Sequence, residues 1–594
     1  MSTRHPRRRR AARIFASVII VSVGRAPFTT AATIDWTNPA GGTFQVGANW
    51  AGGSVPGNAD TARFALGNPI HVSLSAAVAN DRLVVASGAD VTLHASPFNL
   101  VVNSDANPGV TVGDVASATP ARLELASGNL GAFDIVLGDQ AGATGIAHVQ
   151  SGSWGASRRF IVGNAGDGTF TAALPAFINC GEVDIAAGSA SHGFLQVDSS
   201  FFGTHSALRI GQRGIGTFRI TRQADLGTGP IIVGDEIGAA GTIDLQSNVE
   251  WAAGALTVGN FGSGTLLIGT GTMAGGGSAS VAQQPGSHGW VNINGGSVHF
   301  SQSLNVGGSS TTPGGDGAFS LDAGSISVFG ALRVWDRGRF NWNGGTINVS
   351  SIDLVGGGTL AMAAGPNAKL LKTAKVNIDL AHGSMLDLND NDAQLTNTTR
   401  SLVESHVVSA RDGGAWTGPG LGSTSARTQP DHATTLGVLQ GSEYLAASGT
   451  NTFDGSTVAA ANVLVKYTWY GDTDFNGRVN FDDYVRIDTG FNNHLSGWLN
   501  GDFDLNGTVN FDDYVLIDLA FNVQSGTLSR ALAFFQGSAD PMNAPALELI
   551  SQHAEAFGEG YTRSFLAAVP EPVGAVMVLS MAPFLVSRRR RRCA

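Results

Sequence analysis

The stretch "IIVGDEIGAAGTIDLQ", residues 231–246, holds two short phrases that recur along the chain. The first is an apolar-x-apolar pair followed by a small residue. It returns as "TVGD" at Gly113, "VLGD" at Gly138, "IVGN" at Gly163, "DIAA" at Ala186, "RIGQ" at Gly211, "IVGD" at Gly234, "TVGN" at Gly259, "SVAQ" at Ala282 and "NVGG" at Gly307. The intervals are 25, 25, 23, 25, 23, 25, 23 and 25 residues. The second phrase, here "GTIDLQ", has relatives from Gly145 onward, among them "TGIAHV", "GTFTAA", "HGFLQV", "GTFRIT", "GTLLIG" and "HGWVNI". Its offset from the first phrase alternates between seven and five residues. Looser copies stand at Trp335 and Val355. Alternating apolar residues closed by Gly at the corners read as short strands separated by turns. A unit of about 24 residues cannot bury a core of its own, so the units must stack. The fold class expected is mainly β, a right-handed parallel β-helix or β-solenoid with two or three strands per coil. Ten to twelve coils at about 4.8 Å each would make a rod on the order of 50 Å long. A propeller is disfavoured because its blades run about 40–45 residues.

Composition agrees. Of 594 residues 81 are Gly, charged residues make up 14%, and lysine is rare, which suits an all-β chain with many tight turns. The net charge of −11 conceals an asymmetry: seven arginines precede Thr33 and five more fill 588–592. Without those ends, 23 basic residues face 46 acidic ones, a net of −23. Such a body repels nucleic acid and anionic lipid, so nucleic-acid binding is set aside. Cys180 and Cys593 are the two cysteines, too few for a disulfide framework or a CxxC zinc site.

Most of the patterned acids lie in two dodecamers, "DTDFNGRVNFDD" (472–483) and "DFDLNGTVNFDD" (502–513). Their oxygen-bearing residues fall at alternate positions, with Gly at position 6 for the sharp turn and an acid at position 12. That is the grammar of an EF-hand calcium loop. The expected metal residues are Asp472, Asp474, Asn476, Arg478 (by its carbonyl), Asn480 and Asp483 in the first loop. Their counterparts in the second are Asp502, Asp504, Asn506, Thr508, Asn510 and Asp513. Position 12 is Asp rather than the usual Glu. A helix is expected after each loop, its apolar face formed by Phe481, Tyr484, Ile487 and Phe491 in one copy and Phe511, Tyr514, Ile517 and Phe521 in the other. "LVKYTWYGD" before the first loop reads as a strand. A duplicated loop plus exit helix with Asp at position 12 resembles a type I dockerin over about 471–524. The resemblance implies two bound Ca2+ ions and docking onto a cohesin-like partner in a carbohydrate-degrading assembly.

Both ends read as addresses. "RRRRAARIFASVIIVSVG" is a basic run followed by a short apolar segment, with a small-residue cleavage site near Ala32, as in an export signal. At the other end, Val569, Pro570, Glu571 and Pro572 precede fifteen weakly polar or apolar residues and then the arginines. This arrangement resembles a PEP-CTERM sorting signal. It implies recognition by an exosortase-type membrane enzyme and a transmembrane sorting helix over 573–587, held transiently or as a permanent anchor. The arginines would stay on the cytoplasmic side.

The organisation expected is a signal peptide (1–32), an N-terminal β cap (33–80), solenoid repeats (81–365), a β-rich connecting domain (366–465), a dockerin-like module (466–525), a helical linker (526–568) and the sorting signal (569–594). The cap carries Trp36 and Trp50 and resembles the opening segment of autotransporter-like surface repeat proteins. The combination resembles exported proteins of environmental bacteria such as planctomycetes. Along the rod, Asp114, Asp139, Asn164, Gln212, Asp235, Asn260 and Gln283 form a polar file, read as turn formers with a calcium ladder as the alternative. Trp251, Trp290, Trp335, Phe340 and Trp342 could stack on sugars or fill the core. No coil gathers the acids and base that sugar-cleaving chemistry requires. The functional expectation is an exported structural or adhesive protein of the cell surface or extracellular matrix. A β-helix polysaccharide lyase or glycoside hydrolase, and a carbohydrate-binding adhesin, are the alternatives.

Overall fold

The computed structural model describes residues 31–569 apart from 106–107, 174, 199–200, 223, 247–248, 271–272, 366–368 and 537–543. The chain winds into a parallel β-solenoid of about 14 turns. Each turn lays one short strand on each of three faces. Around the quoted stretch these are Ile231–Val233, Ala240–Leu245 and Val249–Ala252. Each strand pairs in parallel with its equivalents one turn before and one turn after, so Ile231 sits over Leu208 and under Leu256. Alternate residues point inward. Ile231, Val233, Ile243, Leu245, Val249 and Trp251 are all at most 6% exposed. Like stacks on like along the rod: the rings of Phe319 and Phe340 lie parallel, 5.0 Å apart. Each such side chain, fully buried, contributes about 1.5–3 kcal/mol, and its partners are the neighbouring turns.

The corner after the first strand explains the first phrase. Gly234 has φ +67°, and a Cβ there would lie 2.2 Å from the Ser263 carbonyl oxygen of the next turn. Conformation and space both demand glycine. Ala186 and Ala282 hold the same corner at φ +57° and +55°, where the phrase reads "DIAA" and "SVAQ". The glycine of the second phrase is needed for space alone: a Cβ on Gly241 would lie 2.1 Å from the Ile210 carbonyl.

Both ends of the rod are closed. At the start, Trp36, Phe44, Trp50 and Phe64 form a buried aromatic plug, with Trp36 and Trp50 edge to face at 5.0 Å. Both indoles find backbone acceptors, Trp50 Nε1 donating to the Phe44 carbonyl and Trp36 Nε1 to that of Asn38, each at 2.7 Å. The plug is itself part of the winding, because Thr33–Asp35 already pairs with Thr61–Phe64. At the far end the parallel stacking runs past Gly365, where the sequence repeat fades, to Lys375–Ile378 and Gly420–Gly422. A four-stranded sheet then takes over. Leu370–Thr373 pairs in parallel with Asp392–Leu395, but Val463–Trp469 pairs antiparallel with Asp392–Leu395 on one side and with Thr434–Gln440 on the other. The reversal ends the parallel ladder and hides its edge.

Beyond the sheet come the first loop, the first exit helix (Phe481–Asn493), the second loop and the second exit helix (Phe511–Ser525). A short helix (Leu528–Phe535) and a closing helix (Pro545–Ala568), broken at Gly558, complete the described chain. Among the described residues no helix is long and apolar enough to cross a membrane. The expected sorting helix, Pro570, Glu571, Pro572 and nearly all of the expected signal peptide lie outside the described residues; Val569 is the last within them.

Candidate metal centre

Strand Val463–Trp469 leads into the first loop through Gly471. Positions 4 and 6 of each loop are left-handed, Phe475 and Gly477 at φ +64° and +84°, Leu505 and Gly507 at +59° and +93°. These two reversals curl the chain so that positions 1, 3 and 12 converge. Asp472, Asp474 and Asp483 each bring an oxygen within 4.8 Å of the others, and so do Asp502, Asp504 and Asp513. Among the described residues these are the two groups of three or more His, Cys, Asp or Glu placed to share one ion.

The four asparagines of the loops also bond within them. Asn480 and Asn510 are helix caps, their side chains accepting from the backbone N–H of Asp482 at 2.8 Å and Asp512 at 2.7 Å. Asp483 and Asp513 complete the box by accepting from the N–H of Asn480 and Asn510, each at 2.9 Å. The acid that closes each loop therefore also starts each helix. Asn476 and Asn506 pin the turn, accepting from the N–H of Arg478 and Thr508 at 2.9 Å. The side chains of Arg478 and Thr508 are exposed.

The converging carboxylates are buried at a cost. Burial, augmented by neighbouring acids, pushes Asp472 and Asp513 up to about 7, and it also raises Asp483 and Asp502. Asp502 is 2% exposed, and its Oδ1 has no hydrogen-bond partner. A buried carboxylate oxygen without a donor is a costly arrangement unless a cation meets it. The donors are all oxygen, several charged, and crowded on a curled loop, which fits a hard divalent cation of calcium's size.

The two exit helices pack reciprocally. The Tyr484 hydroxyl donates to Asp518 at 2.7 Å, and Tyr514, thirty residues on, donates to Asp488 at 2.6 Å. The closing helix then distinguishes them. Its His553 and Tyr561 also bond Asp518, which is fully buried with three partners, whereas Asp488 remains exposed. Ile550, Tyr561 and Phe565 of this helix are fully buried against the second exit helix and its neighbours. Sequence reasoning missed Asp518, His553 and Tyr561. The available signal was an Asp at the same place on both apolar helices.

The loops also share a core with the capping sheet. Phe475 and Trp498 pack over Gly437 of strand Thr434–Gln440, where a Cβ would lie 2.6–2.7 Å from their rings. Trp498 Nε1 donates to the Asp472 carbonyl at 2.8 Å.

On the rod, members of the polar file bond one another across turns. Asn164 donates to Asp139 at 3.0 Å, Asn260 to Asp235 at 2.8 Å, and Asp114 accepts from the Ser87 N–H at 2.9 Å. Of the five candidate sugar-stacking aromatics, Trp251, Phe340 and Trp342 are buried in the core and Trp290 is 45% exposed. Comparison of the chain with protein-family models, curated proteins and solved structures finds no match.

Proposed function

We propose that this chain is an exported structural or adhesive protein, a rod displayed at the cell surface or in the extracellular matrix, whose duplicated module binds two calcium ions. The observation that carries the calcium reading is the buried, donorless Asp502 Oδ1 within a trio of converging carboxylates, in a loop whose near-copy gathers a second trio. Asp472, Asp474 and Asp483 would hold one ion, and Asp502, Asp504 and Asp513 the other, with loop carbonyls and water completing each shell. Calcium is available outside the cytoplasm, where the two ends of the sequence direct the chain. The C-terminal signal supports sorting by an exosortase-type enzyme. The exposed Phe481 and Val485 of the first exit helix, 77% and 45% exposed, support a cohesin-like partner.

Calorimetric titration of the purified chain is expected to give two calcium ions per molecule, with Asp472→Ala and Asp502→Ala each removing one. No heat of binding at millimolar calcium overturns the metal reading. Cleavage of polysaccharide by the purified chain would replace the structural reading with the enzymatic one.

A further inference from the structure

The two loops are near copies, but their carboxylates do not stand in equal surroundings. In the first loop every buried carboxylate oxygen has a donor. Asp472 Oδ1 accepts from the Asn476 N–H at 2.9 Å, and Oδ2 from the Gly477 N–H at 2.9 Å and the Thr468 hydroxyl. Asp483 Oδ1 accepts from the Thr473 N–H at 2.9 Å and from its hydroxyl. A cation is present as well. Arg486, one turn into the first exit helix, places Nη1 3.3 Å from Asp474 Oδ2 and 3.8 Å from Asp483 Oδ1. It is steered there by a bond to the Thr473 hydroxyl at 2.8 Å.

In the second loop the hydroxyls and the guanidinium are gone, while backbone donors remain, the Phe503 N–H reaching Asp513 Oδ1 at 2.7 Å. Thirty residues after Thr473 stands Phe503, and thirty after Arg486 stands Leu516. Asp502 Oδ2 accepts from the N–H of Gly497 and Gly507 at 3.1 Å, while Oδ1 has no donor at full hydrogen-bond geometry, the Asn506 N–H acting on this carboxylate more weakly than its counterpart Asn476 acts on Asp472. Two guanidiniums act on this loop through space, Arg411 on Asp504 and Asp513 and Arg400 on Asp502, but the described ion pairs join neither to a loop carboxylate. Arg411 Nε bonds the Tyr470 hydroxyl at 2.9 Å and Arg400 bonds Glu443 at 2.6 Å.

We infer that Arg486 is a resident counter-ion that makes the two sites unequal: the second loop fills first, and the first loop is a weaker site whose ion must displace the Arg486 guanidinium. The inference rests on the reading of the loops as divalent-cation sites. Its physical basis is charge. A guanidinium within 4 Å of two ligand carboxylates opposes the approach of a divalent ion, and breaking its bonds adds a cost that the second loop does not bear. The separation in affinity should be about tenfold or more.

The test is calcium titration of the full chain by calorimetry, with the fold checked by circular dichroism. The unaltered protein should show two classes of site, the tighter abolished by Asp502→Ala and the weaker by Asp472→Ala. Arg486→Leu, which copies Leu516, should strengthen the weaker class and bring the two affinities together. Arg486→Gln should do the same if the leucine variant does not fold. Two ions bound with affinities unmoved by either Arg486 variant, or loss of the tighter class on Asp472→Ala, overturn the inference and leave the metal reading standing. No calcium uptake at all overturns both.

Discussion

The rod and the calcium module are both products of repetition, used in opposite ways. In the rod each copy is translated along an axis, so Ile231 meets Leu208 below and Leu256 above, and the series has no natural end. It needs the aromatic plug at one end and the antiparallel sheet at the other. In the module the two copies face each other, Tyr484 reaching Asp518 and Tyr514 reaching Asp488, and the pair closes on itself. Translation leaves two open ends to be capped, whereas the reciprocal arrangement satisfies both copies at once. The closed pair gains a different freedom. Once each copy has its partner, the two can diverge, as Arg486 against Leu516 and exposed Asp488 against buried Asp518 show.

The largest expected effect breaks the rod. Val258 is fully buried between Val233 and Val281, and Val258→Asp places an unpaired charge in a column shared by three turns. A loss of about 4–5 kcal/mol or failure to fold is expected, read by thermal denaturation or recovery of soluble protein. The module should break separately. Removing calcium with a chelator should lower the melting of the helical signal while the β signal of the rod persists to higher temperature; coincident transitions would mean the two regions are one cooperative unit.

The pH dependence of the metal-free chain has a definite sign. Asp472 and Asp513 titrate near 7 in the folded chain against 3.8 for a free carboxyl, so the folded state holds protons that the unfolded state has released. Their contribution is fully present below about pH 4 and is lost as pH rises through about 7. The chelated chain should therefore melt at a higher temperature at pH 5.5 than at pH 7.5. Saturating calcium should reverse the order, because the bound ion requires the carboxylates ionised.

The reciprocal pair offers a finer test. Tyr484→Phe leaves buried Asp518 one donor short and should cost about 1–3 kcal/mol, whereas Tyr514→Phe frees a carboxylate already in water and should cost about 1 kcal/mol or less. Denaturant titration of both variants reads the difference, and equal costs would refute the asymmetry. The smallest effect is expected in the polar file. Asn260→Ser gives up one bond to Asp235 at a part-exposed corner and should cost about 0.5–1.5 kcal/mol. A much larger loss would mean that the file holds more than a turn.

The period was legible because the corner demands it. A left-handed residue that faces the next turn admits little but Gly or Ala, so the phrase stays visible while the strands around it vary. The third face was not legible. Its strands, "FFGT", "ADLG" and "VEWA", are four residues long with two inward positions each, too short to declare a period. Stacking past Gly365 was hidden for a related reason: "TLAM" and "MLD" pair as strands without the corner phrase, and the helix Arg400–Arg411 separates the last rungs in sequence. In the module, positions 1, 3 and 12 were legible from spacing, and "NFDD" carries a recognisable helix start. The sequence shows the closing helix only as a linker because its buried residues, Ile550, Tyr561 and Phe565, are spread across the break at Gly558 and share no single helical stripe. Only the fold shows that His553 and Tyr561 of this helix reach Asp518.

The strand Val463–Trp469 lies inside the capping sheet, bonded on both sides, and its last residue stands three positions before Asp472. Once the loops are drawn out, a pull delivered from the C-terminal side enters the sheet along the axis of that strand. The ladders on both flanks then carry the load in shear, with their hydrogen bonds strained together rather than opened one after another. If the chain tethers the rod to a surface by its C-terminal end, the tether is joined in the direction in which a β-sheet resists force best.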